Sequence, residues 1–405
     1  MRQLYTIVLR LALPFILLRL WWRGRREPGY REHVQERFGI YSGEKPQQAL
    51  WVHAVSVGEA RAAAPLVRAL KGLLPDHTVV MTCTTAAGRE TLKQVYGQSV
   101  LAAFLPYDYP ESVQGFLERF RPRLGVLMET ELWPNLLAQC QRRAVPVVLA
   151  NARMSEKSAR GYRRWRAFTA PGIRSLAAVC AQSEADAGRL RALGAPRVEV
   201  TGNLKFDATL DEAQLAAGRE WKAKLGRPVL LLASTREGEE KLLLDQFREE
   251  AFLVVVVPRH PQRFDEVAQW ADGRRSRNDL PGENTRIYLG DTMGEMAFYY
   301  AACDVAVIGG SFLPLGGQNL IEALAAGAPV VVGPSMFNFA EATRLALDAG
   351  AAVQAADATI AIRQAVALIS DRKKRDEMAR AGKSLCEAHR GATAKHLEVC
   401  RRLIR

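Results

Sequence analysis

The sequence predicts an α/β protein of two Rossmann-like domains in tandem, preceded by an apolar helix at the N-terminus. Short apolar and β-branched runs alternate with amphipathic stretches, a pattern typical of parallel sheets with crossover helices. A polar stretch at 207–227 interrupts this alternation, which then begins again. With 405 residues, 48% of them hydrophobic, the chain has enough apolar material for two cores.

The N-terminal segment differs from this soluble composition. Residues 4–22 read LYTIVLRLALPFILLRLWW, close to the ~20 apolar residues that span a bilayer, although two arginines and a proline interrupt them. Three arginines follow within 23–26, and this positive flank predicts that the remaining chain stays on the cytoplasmic side. No small-residue cleavage site follows, so a removed signal peptide is not expected. We predict a membrane anchor over 1–26, with spanning and lying in the interface both open. A buried helix of the first domain is the alternative.

The first domain is predicted to cover residues 27–208 and to contain one complete Rossmann-like layer. Amphipathic stretches such as ARAAAPLVRALKGLL from Ala60 and ESVQGFLERF from Glu111 have apolar residues at helical spacing. The expected strands are LWVHAV from Leu50, TVVMTC from Thr78, LGVLME from Leu124, VPVVLAN from Val145, LAAVCAQ from Leu176 and VEVTGN from Val198.

The second domain is predicted to cover residues 209–385 and to face the first across a cleft. The chain is helical and basic from about Ile362, and residues 386–405 are expected to form a helix that crosses back onto the first domain. The expected strands are PVLLLAS from Pro228, FLVVVVPR from Phe252, TRIYLGD from Thr285, DVAVIGGS from Asp304 and PVVVGP from Pro329.

A glycine-rich loop in the second domain, IGGSFLPLGGQNLIEALAAG over residues 308–327, predicts a phosphate cradle. Glycines let the backbone approach a ligand closely, and the helix that begins near Asn319 offers free N–H groups to phosphate. Glu322 is placed to accept hydrogen bonds from a ribose or to complement the helix dipole. The spacing of the Walker loop and of G-x-G-x-x-G is absent, which disfavours an ATPase or a nicotinamide enzyme. A turn that serves only sheet–helix packing is the alternative.

Two further strand ends of the second domain point to the same site. One strand ends in Pro258 and Arg259, and Arg259 is a candidate phosphate partner because ligands of such sheets bind beyond the carboxyl ends of strands. Another strand is followed by Met293, Gly294 and Glu295, where Gly294 would open a helix toward the ligand. Each segment taken singly is equally compatible with an ordinary surface loop.

Candidate chemistry lies in the first domain, at the ends of three strands. Glu59 follows the first strand at the start of a helix, where a carboxylate can accept a proton from an attacking hydroxyl. A helix-capping glutamate is the competing explanation. Glu129 ends a second strand, and Lys205, after a third, is placed to neutralise a departing phosphate or an acidic substrate. For this pair the alternative is a salt bridge within the domain.

The formal charge of +13 implies an acidic partner, namely nucleic acid, an anionic membrane or a phosphorylated substrate. The stretch 151–168, NARMSEKSARGYRRWRAF, combines six basic residues with Tyr162 and Trp165 and suits a phosphorylated lipid at a membrane face. RNA and a merely solvated helix face are the alternatives, and no nucleic-acid motif accompanies the stretch. The six cysteines are scattered without metal-ligand spacing, so no metal site and no disulfide framework are expected.

In their order along the chain, the motifs resemble those of one family, the 3-deoxy-D-manno-octulosonic acid (Kdo) transferases of lipopolysaccharide assembly. Some of these motifs are short, but together and in this order they are specific, and they cover nearly the whole chain. They are the hydrophobic N-terminus, HAVSVGEA, MTCTTAAG, LPYDYP, METELWPN, NARMSEKS, GNLKFD, PRHPQRF, DTMGEM, GGSFLPLGGQNLIE and GPSMFNFAE.

The resemblance implies a GT-B fold, CMP-Kdo as the donor substrate, lipid IVA as the acceptor, and inverting transfer without a metal or another cofactor. It implies a place on the cytoplasmic face of the bacterial inner membrane and no nucleic-acid partner. Glu59 matches the family's proton acceptor, and Glu129 and Lys205 match residues that stabilise the transition state. The CMP contacts fall on Pro258, Arg259, Met293, Gly294, Glu295, Asn319, Leu320, Ile321 and Glu322.

This chain departs from many relatives at Gln318, where they have His, and at the helix start NLIEAL, where they carry a proline. The finer contacts to the nucleotide are therefore open, as is the number of Kdo units added. Two rivals remain: another GT-B enzyme, such as a 2-epimerase or a UDP-sugar transferase to a lipid-linked acceptor, and a non-catalytic adaptor for anionic lipid or RNA. An epimerase needs no anchor, and an adaptor leaves the three candidate catalytic residues without a role.

Overall fold

The computed structural model describes residues 1–43, 45–247, 251–278 and 280–404. The chain forms two compact domains: the first comprises Met1–Ala208 with Arg390–Arg405, and the second comprises Thr209–His389. Each contains one seven-stranded sheet in which every strand pair is parallel. The predicted α/β class with two Rossmann-like domains is thereby confirmed.

The sheet of the first domain has the order β3-β2-β1-β4-β5-β6-β7. One of its strands, Leu101–Phe104, was not predicted, because its LAAF sequence is short, contains two alanines and lies at a half-exposed edge. The strands are β1 Ala49–His53, β2 Thr78–Cys83, β3 Leu101–Phe104, β4 Pro122–Met128, β5 Val147–Ala152, β6 Ala178–Ala181 and β7 Val198–Val200.

Among the described residues, ten α-helices of the first domain precede the domain boundary. The amphipathic stretch from Ala60 is helical but is divided between two helices. The first ends at Ala62, and Pro65 stands in the first turn of the next, where its missing N–H is tolerated. The helices are α1 Arg2–Leu11, α2 Leu13–Arg26, α3 Val57–Ala62, α4 Ala64–Leu73, α5 Ala86–Tyr96, α6 Pro110–Phe120, α7 Pro134–Arg142, α8 Glu156–Arg164, α9 Arg166–Arg174 and α10 Glu184–Ala192.

The sheet of the second domain has the order β10-β11-β9-β8-β12-β13-β14. The two outermost strands were not predicted, because two or three residues at a sheet edge carry too little hydrophobic pattern. The strands are β8 Val229–Thr235, β9 Leu253–Pro258, β10 Gly273–Arg274, β11 Ile287–Leu289, β12 Val305–Ile308, β13 Val330–Val332 and β14 Ala352–Gln354.

The polar stretch that separates the two sets of strands is a helix rather than an interruption. It packs on the helix over 296–302 through its buried residues Leu215, Gly218 and Trp221. The rings of Trp221 and Phe298 lie 5.5 Å apart. Three buried residues form too narrow an apolar face to be recognised in the sequence. The helices of the second domain are α11 Glu212–Leu225, α12 Glu239–Leu244, α13 Phe264–Val267, α14 Met296–Ala302, α15 Ile321–Ala326, α16 Ala340–Asp348, α17 Ala358–Ser370 and α18 Arg372–Ala388.

The last helix, α19 Ala392–Ile404, belongs to the first domain. Its buried residues Val399, Cys400 and Ile404 join the core that α4 and β1 form on one face of the sheet. The crossing segment begins later than residue 386, because α18 continues through Ala388 and the second domain ends at His389.

At the N-terminus, the apolar segment forms α1 and α2 rather than one helix. Within the described residues no single helix is long and apolar enough to cross a membrane, but α1 and α2 together pass that test by length and composition as a pair bent by 52°. The alternative of a buried core helix is wrong, because apolar side chains such as Leu4, Val8 and Phe15 are exposed, Phe15 to 74%. Polar contacts instead join α1 to its domain: Tyr109 Oη donates to the Leu9 carbonyl at 2.9 Å.

Candidate active site

Both sheets reverse their strand order at one point, between β1 and β4 in the first domain and between β8 and β12 in the second. Crevices outside the carboxyl ends of strands at such points are where ligands of open α/β sheets bind. In the first domain, Glu59 follows β1 and Glu129 follows β4 directly. Topology alone thus brings these two carboxylates to the place where chemistry is expected.

Glu59 is held by three hydrogen bonds at the start of α3. Ser56 caps the helix by accepting from the Glu59 N–H at 3.2 Å, and its hydroxyl donates to Glu59 Oε1 at 2.9 Å. The Val55 N–H donates to Glu59 Oε2 at 2.9 Å. The capping explanation therefore holds for the geometry of Glu59. It does not oppose a catalytic role, because these bonds fix the direction of the carboxylate.

The acidity of Glu59 is strongly perturbed. Its pKa is raised to about 7, by burial first and then by the nearby charges of Glu129 and Glu131, against the opposing hydrogen bonds from Val55 and Ser56. A carboxyl group with a pKa near neutrality can take up a proton during turnover and lose it again afterwards. Among the carboxylates predicted from the sequence, Glu59 thus has the properties of a general base.

Glu129 and Lys205 form an ion pair, with 3.3 Å between Lys205 Nζ and Glu129 Oε1. Both side chains are largely buried. Glu129 adopts a left-handed backbone conformation with φ of 58°, which for a non-glycine residue costs about 1–3 kcal/mol. The salt bridge named as the alternative to a catalytic role is therefore present. The strained backbone of Glu129 at the end of a strand is typical of a functional site.

The loop that carries Lys205 is tied to the crossing helix, a connection that the sequence analysis missed. Asn151 Oδ1 accepts from the Leu204 N–H at 3.0 Å, and the Asn151 N–H donates to Nε2 of the buried His396 at 2.9 Å. Asp207 accepts from the N–H groups of Gly391 and Thr393 at the start of α19. Residues from beyond the second domain thus complete the support of Lys205.

In the second domain, the glycine-rich loop after β12 is organised by a residue that the sequence analysis also missed. The fully buried carboxylate of Glu239 accepts from the N–H groups of Gly310 and Phe312, and from the Arg236 N–H at 2.9 Å. Gly310 has a φ of 67°, and a Cβ on Gly309 would lie 2.6 Å from the Ser234 carbonyl oxygen. A side chain at Gly309 would therefore collide with the backbone at the end of β8, and the conformation of Gly310 favours glycine.

The loop then enters α15, which begins at Ile321, two residues after Asn319. Asn319 accepts from the Ile321 N–H at 3.1 Å and donates to Glu322 Oε1 at 2.9 Å. The side chains of Leu320 and Ile321 lie in the core. Of the four predicted contact residues, Asn319 and Glu322 therefore offer side chains to a ligand, whereas Leu320 and Ile321 offer only backbone.

Basic side chains gather at the end of β9. Pro258 is the last residue of the strand, and the Arg259 N–H donates to the Thr235 carbonyl at 2.9 Å. The pKa of His260 is lowered by burial and by the surrounding charges of Arg236, Arg259 and Arg263. A concentration of positive charge beside a glycine-rich loop is suited to a phosphate group.

The third predicted loop of the second domain follows β11. Gly294 has a φ of 86°, Glu295 occupies the N-cap position of α14, and the helix itself begins at Met296, two residues after Gly294. Burial favours the protonated form of Glu295, but hydrogen bonds from Arg275 and Thr292 outweigh it and lower its pKa. Glu295 is therefore a fixed anion, while Met293 beside it is exposed.

The basic stretch 153–166 forms the end of a loop and the helices α8 and α9, which break at Trp165. Arg163 is paired with Glu156 at 2.8 Å. The remaining exposed cations between residues 153 and 166 are Lys157, Arg160, Arg164 and Arg166, and none of them forms an ion pair within the described part of the chain.

Comparison with known proteins identifies one family. A family model described as 3-Deoxy-D-manno-octulosonic-acid transferase (kdotransferase) matches residues 32–208. The chain is 45% identical to the 3-deoxy-D-manno-octulosonic acid transferase of Bordetella pertussis, over 98% of each protein. It is 35% identical to the protein of the same name from Haemophilus influenzae, over 98% of this chain and 97% of that one.

Among solved structures, a putative UDP-N-acetylglucosamine 2-epimerase from Listeria monocytogenes has a TM-score of 0.60 to this chain at 16% identity, with 87% of this chain and 95% of that one covered. The UDP-GlcNAc 2-epimerase from Neisseria meningitidis has a TM-score of 0.59 at 17% identity, with 88% and 100% covered. At such identities the likeness concerns the fold alone. It agrees with the predicted GT-B class.

Proposed function

The chain belongs to the Kdo transferase family, and from that premise we propose that it transfers Kdo from CMP-Kdo to lipid IVA, with inversion and without a metal. The observation that carries the mechanism is the position of Glu59 at the strand-order reversal of the first domain, with a pKa of about 7. The donor and the acceptor follow from the ordered motifs that the chain shares with the family.

In the proposed reaction, a hydroxyl oxygen of the acceptor sugar attacks the anomeric carbon of Kdo. The hydroxyl proton passes to Glu59, a new C–O bond forms, and the bond to the CMP phosphate oxygen breaks with its electron pair. Near neutral pH a large fraction of Glu59 is ionised and ready to accept this proton. The hydrogen bonds from Val55 and Ser56 hold its oxygens in place before the reaction begins.

Charge develops in this reaction on the phosphate of the departing CMP. In the second domain, Arg259 at the end of β9 is the group we assign to that phosphate. In the first domain, the Lys205 ammonium is kept in one position by Glu129 at 3.3 Å, and we assign it to the negative charge of the reacting Kdo. Fixed charges of this kind stabilise a transition state without reorganisation.

For membrane attachment we propose that α1 lies in the interface on the cytoplasmic face rather than spanning the bilayer. Thr6, Leu9 and Tyr5 of α1 contact Asn135, Tyr109 and Phe168 of the globular domain. A helix so attached along one side presents only its other side to lipid, which suits an amphipathic helix in the headgroup region. The bend of 52° between α1 and α2 supports this arrangement.

Purified protein incubated with CMP-Kdo and lipid IVA tests the proposed function. Mass spectrometry of the lipid should show the addition of one Kdo, or of two if the first Kdo serves as acceptor. Chelation of divalent ions should leave the yield unchanged. An unchanged lipid mass would overturn the proposed donor–acceptor pair.

A further inference from the structure

An apolar groove of about 750 Å³ lies in the first domain between α1 and the pair α8–α9. This volume falls within the ~300–1,000 Å³ typical of small-molecule sites. Polar atoms are nearly absent from its walls. Leu4, Tyr5 and Val8 line it from α1, and Tyr162, Trp165 and Phe168 line it from the opposite side.

The walls of this groove are unusually exposed for apolar side chains. Trp165 is 62% exposed and Leu4 is 57% exposed. Exposed apolar side chains gathered in one groove are typical of a site that a partner covers. Because its walls are almost entirely apolar, the part of the partner that lies in the groove must be apolar too.

The surroundings of the groove are cationic. Lys157, Arg160, Arg164 and Arg166 lie on the helices that form one wall, are exposed, and have no ion-pair partner within the described residues. Arg2 and Arg10, on the opposite wall helix, line a neighbouring pocket of about 370 Å³. An apolar slot bordered by positive charge is complementary to an amphiphile with an anionic head, and the chemistry of an acylated phosphosugar satisfies both parts.

The helix that forms one wall of the groove is connected to a loop of the candidate reaction centre. Tyr162 lies on that wall, in α8. Arg153 lies three residues before α8 begins, and its carbonyl accepts from Thr130 Oγ1 at 3.4 Å. Thr130 stands between Glu129 and Glu131 in the loop that follows β4. The wall of the groove is thereby joined to the loop that carries Glu129.

We propose that this groove binds one acyl chain of the acceptor lipid while the sugar hydroxyl is positioned at Glu59. The proposal rests on the proposed function, which supplies an acylated, phosphorylated acceptor. It adds that the enzyme recognises the acyl chain itself and does not merely meet its substrate at the membrane surface.

Gly161 offers a clean way to block the groove. It lines the groove on α8, and a Cβ built on it meets no atom within 4 Å, so that Gly161→Phe fills the slot without displacing the protein's own packing. Gly188 on α10 provides the matched control, because it is also an exposed helical glycine with open space around its Cβ position, and it lies outside the groove.

The measurement is the KM for two acceptors in detergent micelles at saturating CMP-Kdo. One is lipid IVA, and the other has the same phosphorylated disaccharide with its acyl chains shortened. Gly161→Phe should raise the KM for lipid IVA by about 10–100-fold relative to wild type, because apolar contact with several methylenes is lost. It should change the KM for the short-chain acceptor much less, and Gly188→Phe should change neither.

The possible outcomes distinguish the proposed function from the proposed acyl-chain site. No transfer to either acceptor by the wild-type enzyme would defeat the proposed function. With an active wild type, an equal effect of Gly161→Phe on both acceptors, or none on either, would overturn the acyl-chain site. An unchanged KM for lipid IVA together with weaker sedimentation with anionic phospholipid vesicles would assign the groove to bulk membrane lipid instead, which also overturns it.

Discussion

The two domains share one architecture but present different chemistry at the same place. At the strand-order reversal of the first domain stand a carboxylate with a pKa of about 7 and the ion pair of Glu129 and Lys205. At the corresponding point of the second domain stand glycines with positive φ and, at the end of β9, Arg259. The first set can move a proton, whereas the second can hold a phosphate.

This difference teaches that the shared topology fixes where a site lies but not what the site does. In the first domain, strain and burial are concentrated on ionisable side chains, with Glu129 in a left-handed conformation. In the second domain, the carboxylate of Glu239 accepts hydrogen bonds from backbone N–H groups of the loop and is itself fully buried. The account therefore assigns proton transfer to the first domain and donor binding to the second.

The largest effect should follow from Glu59→Gln. Loss of a general base lowers kcat by about 10²–10⁴-fold, while the affinity for CMP should not change, because Glu59 belongs to the other domain. Glu131→Gln provides the control, since it removes a neighbouring carboxylate that contributes only through its charge. The measurement is steady-state kinetics with both variants. A loss of kcat in Glu131→Gln as large as that in Glu59→Gln would contradict the assignment of Glu59 as the base.

The ion pair of the first domain should behave as one unit. Glu129→Gln and Lys205→Met should each lower kcat by about 10²-fold, and the double variant by little more, because either single change already removes the fixed ammonium charge. The exposed pair of Lys241 and Asp245 serves as a control, and Lys241→Met should leave kcat unchanged. Additive losses in the double variant would show that Glu129 and Lys205 act separately.

A change in the support of the glycine-rich loop should affect the donor rather than the chemistry. Glu239→Gln places an amide N–H₂ against backbone donors and costs about 1–3 kcal/mol at this loop. The KM for CMP-Kdo should rise by about 10-fold, with a smaller loss in kcat at saturating donor. Glu237→Gln, in the same loop but exposed, should have no effect. A loss in kcat as large as the rise in KM would show that Glu239 supports the chemical step rather than donor binding.

The smallest effect concerns pH. Because the base must be ionised, kcat should rise with pH through an apparent pKa near 7, and Glu131→Gln should move this pKa downward by removing a negative neighbour. Since the folded-state pKa of Glu59 is raised from 4.5, the stability from its protonated form is present at low pH and is lost as pH rises toward and through 7. In thermal unfolding experiments, the stability of Glu59→Gln should not show this decline as the pH rises.

Much of the fold was predictable because parallel strands buried on both faces are apolar runs such as LLLAS and LVVVV. Short edge strands such as Gly273–Arg274 carry no such pattern and are created by pairing with a neighbour. The same limit applies to α11, whose polar sequence is helical in the structure because Trp221 packs on α14.

The candidate site divides in the same way. Glu59 could be named because its junction of strand and helix is visible in the local sequence. Glu239 and His396 could not, because their partners Gly310 and Asn151 are distant in sequence and meet them only after folding. The groove beside α1 could not be predicted either, because it lies between the first helix and Tyr162, which are distant in sequence. The catalytic and CMP-binding roles of the named residues remain predictions.

The most direct test of the division between the domains is a calorimetric titration of CMP into wild type, Glu59→Gln and Arg259→Ala. We expect that Glu59→Gln binds CMP as wild type does although its kcat for Kdo transfer is lowered by about 10²–10⁴-fold, and that Arg259→Ala loses CMP affinity by about 10-fold or more. Weakened CMP binding in Glu59→Gln, or unchanged binding in Arg259→Ala, would contradict it.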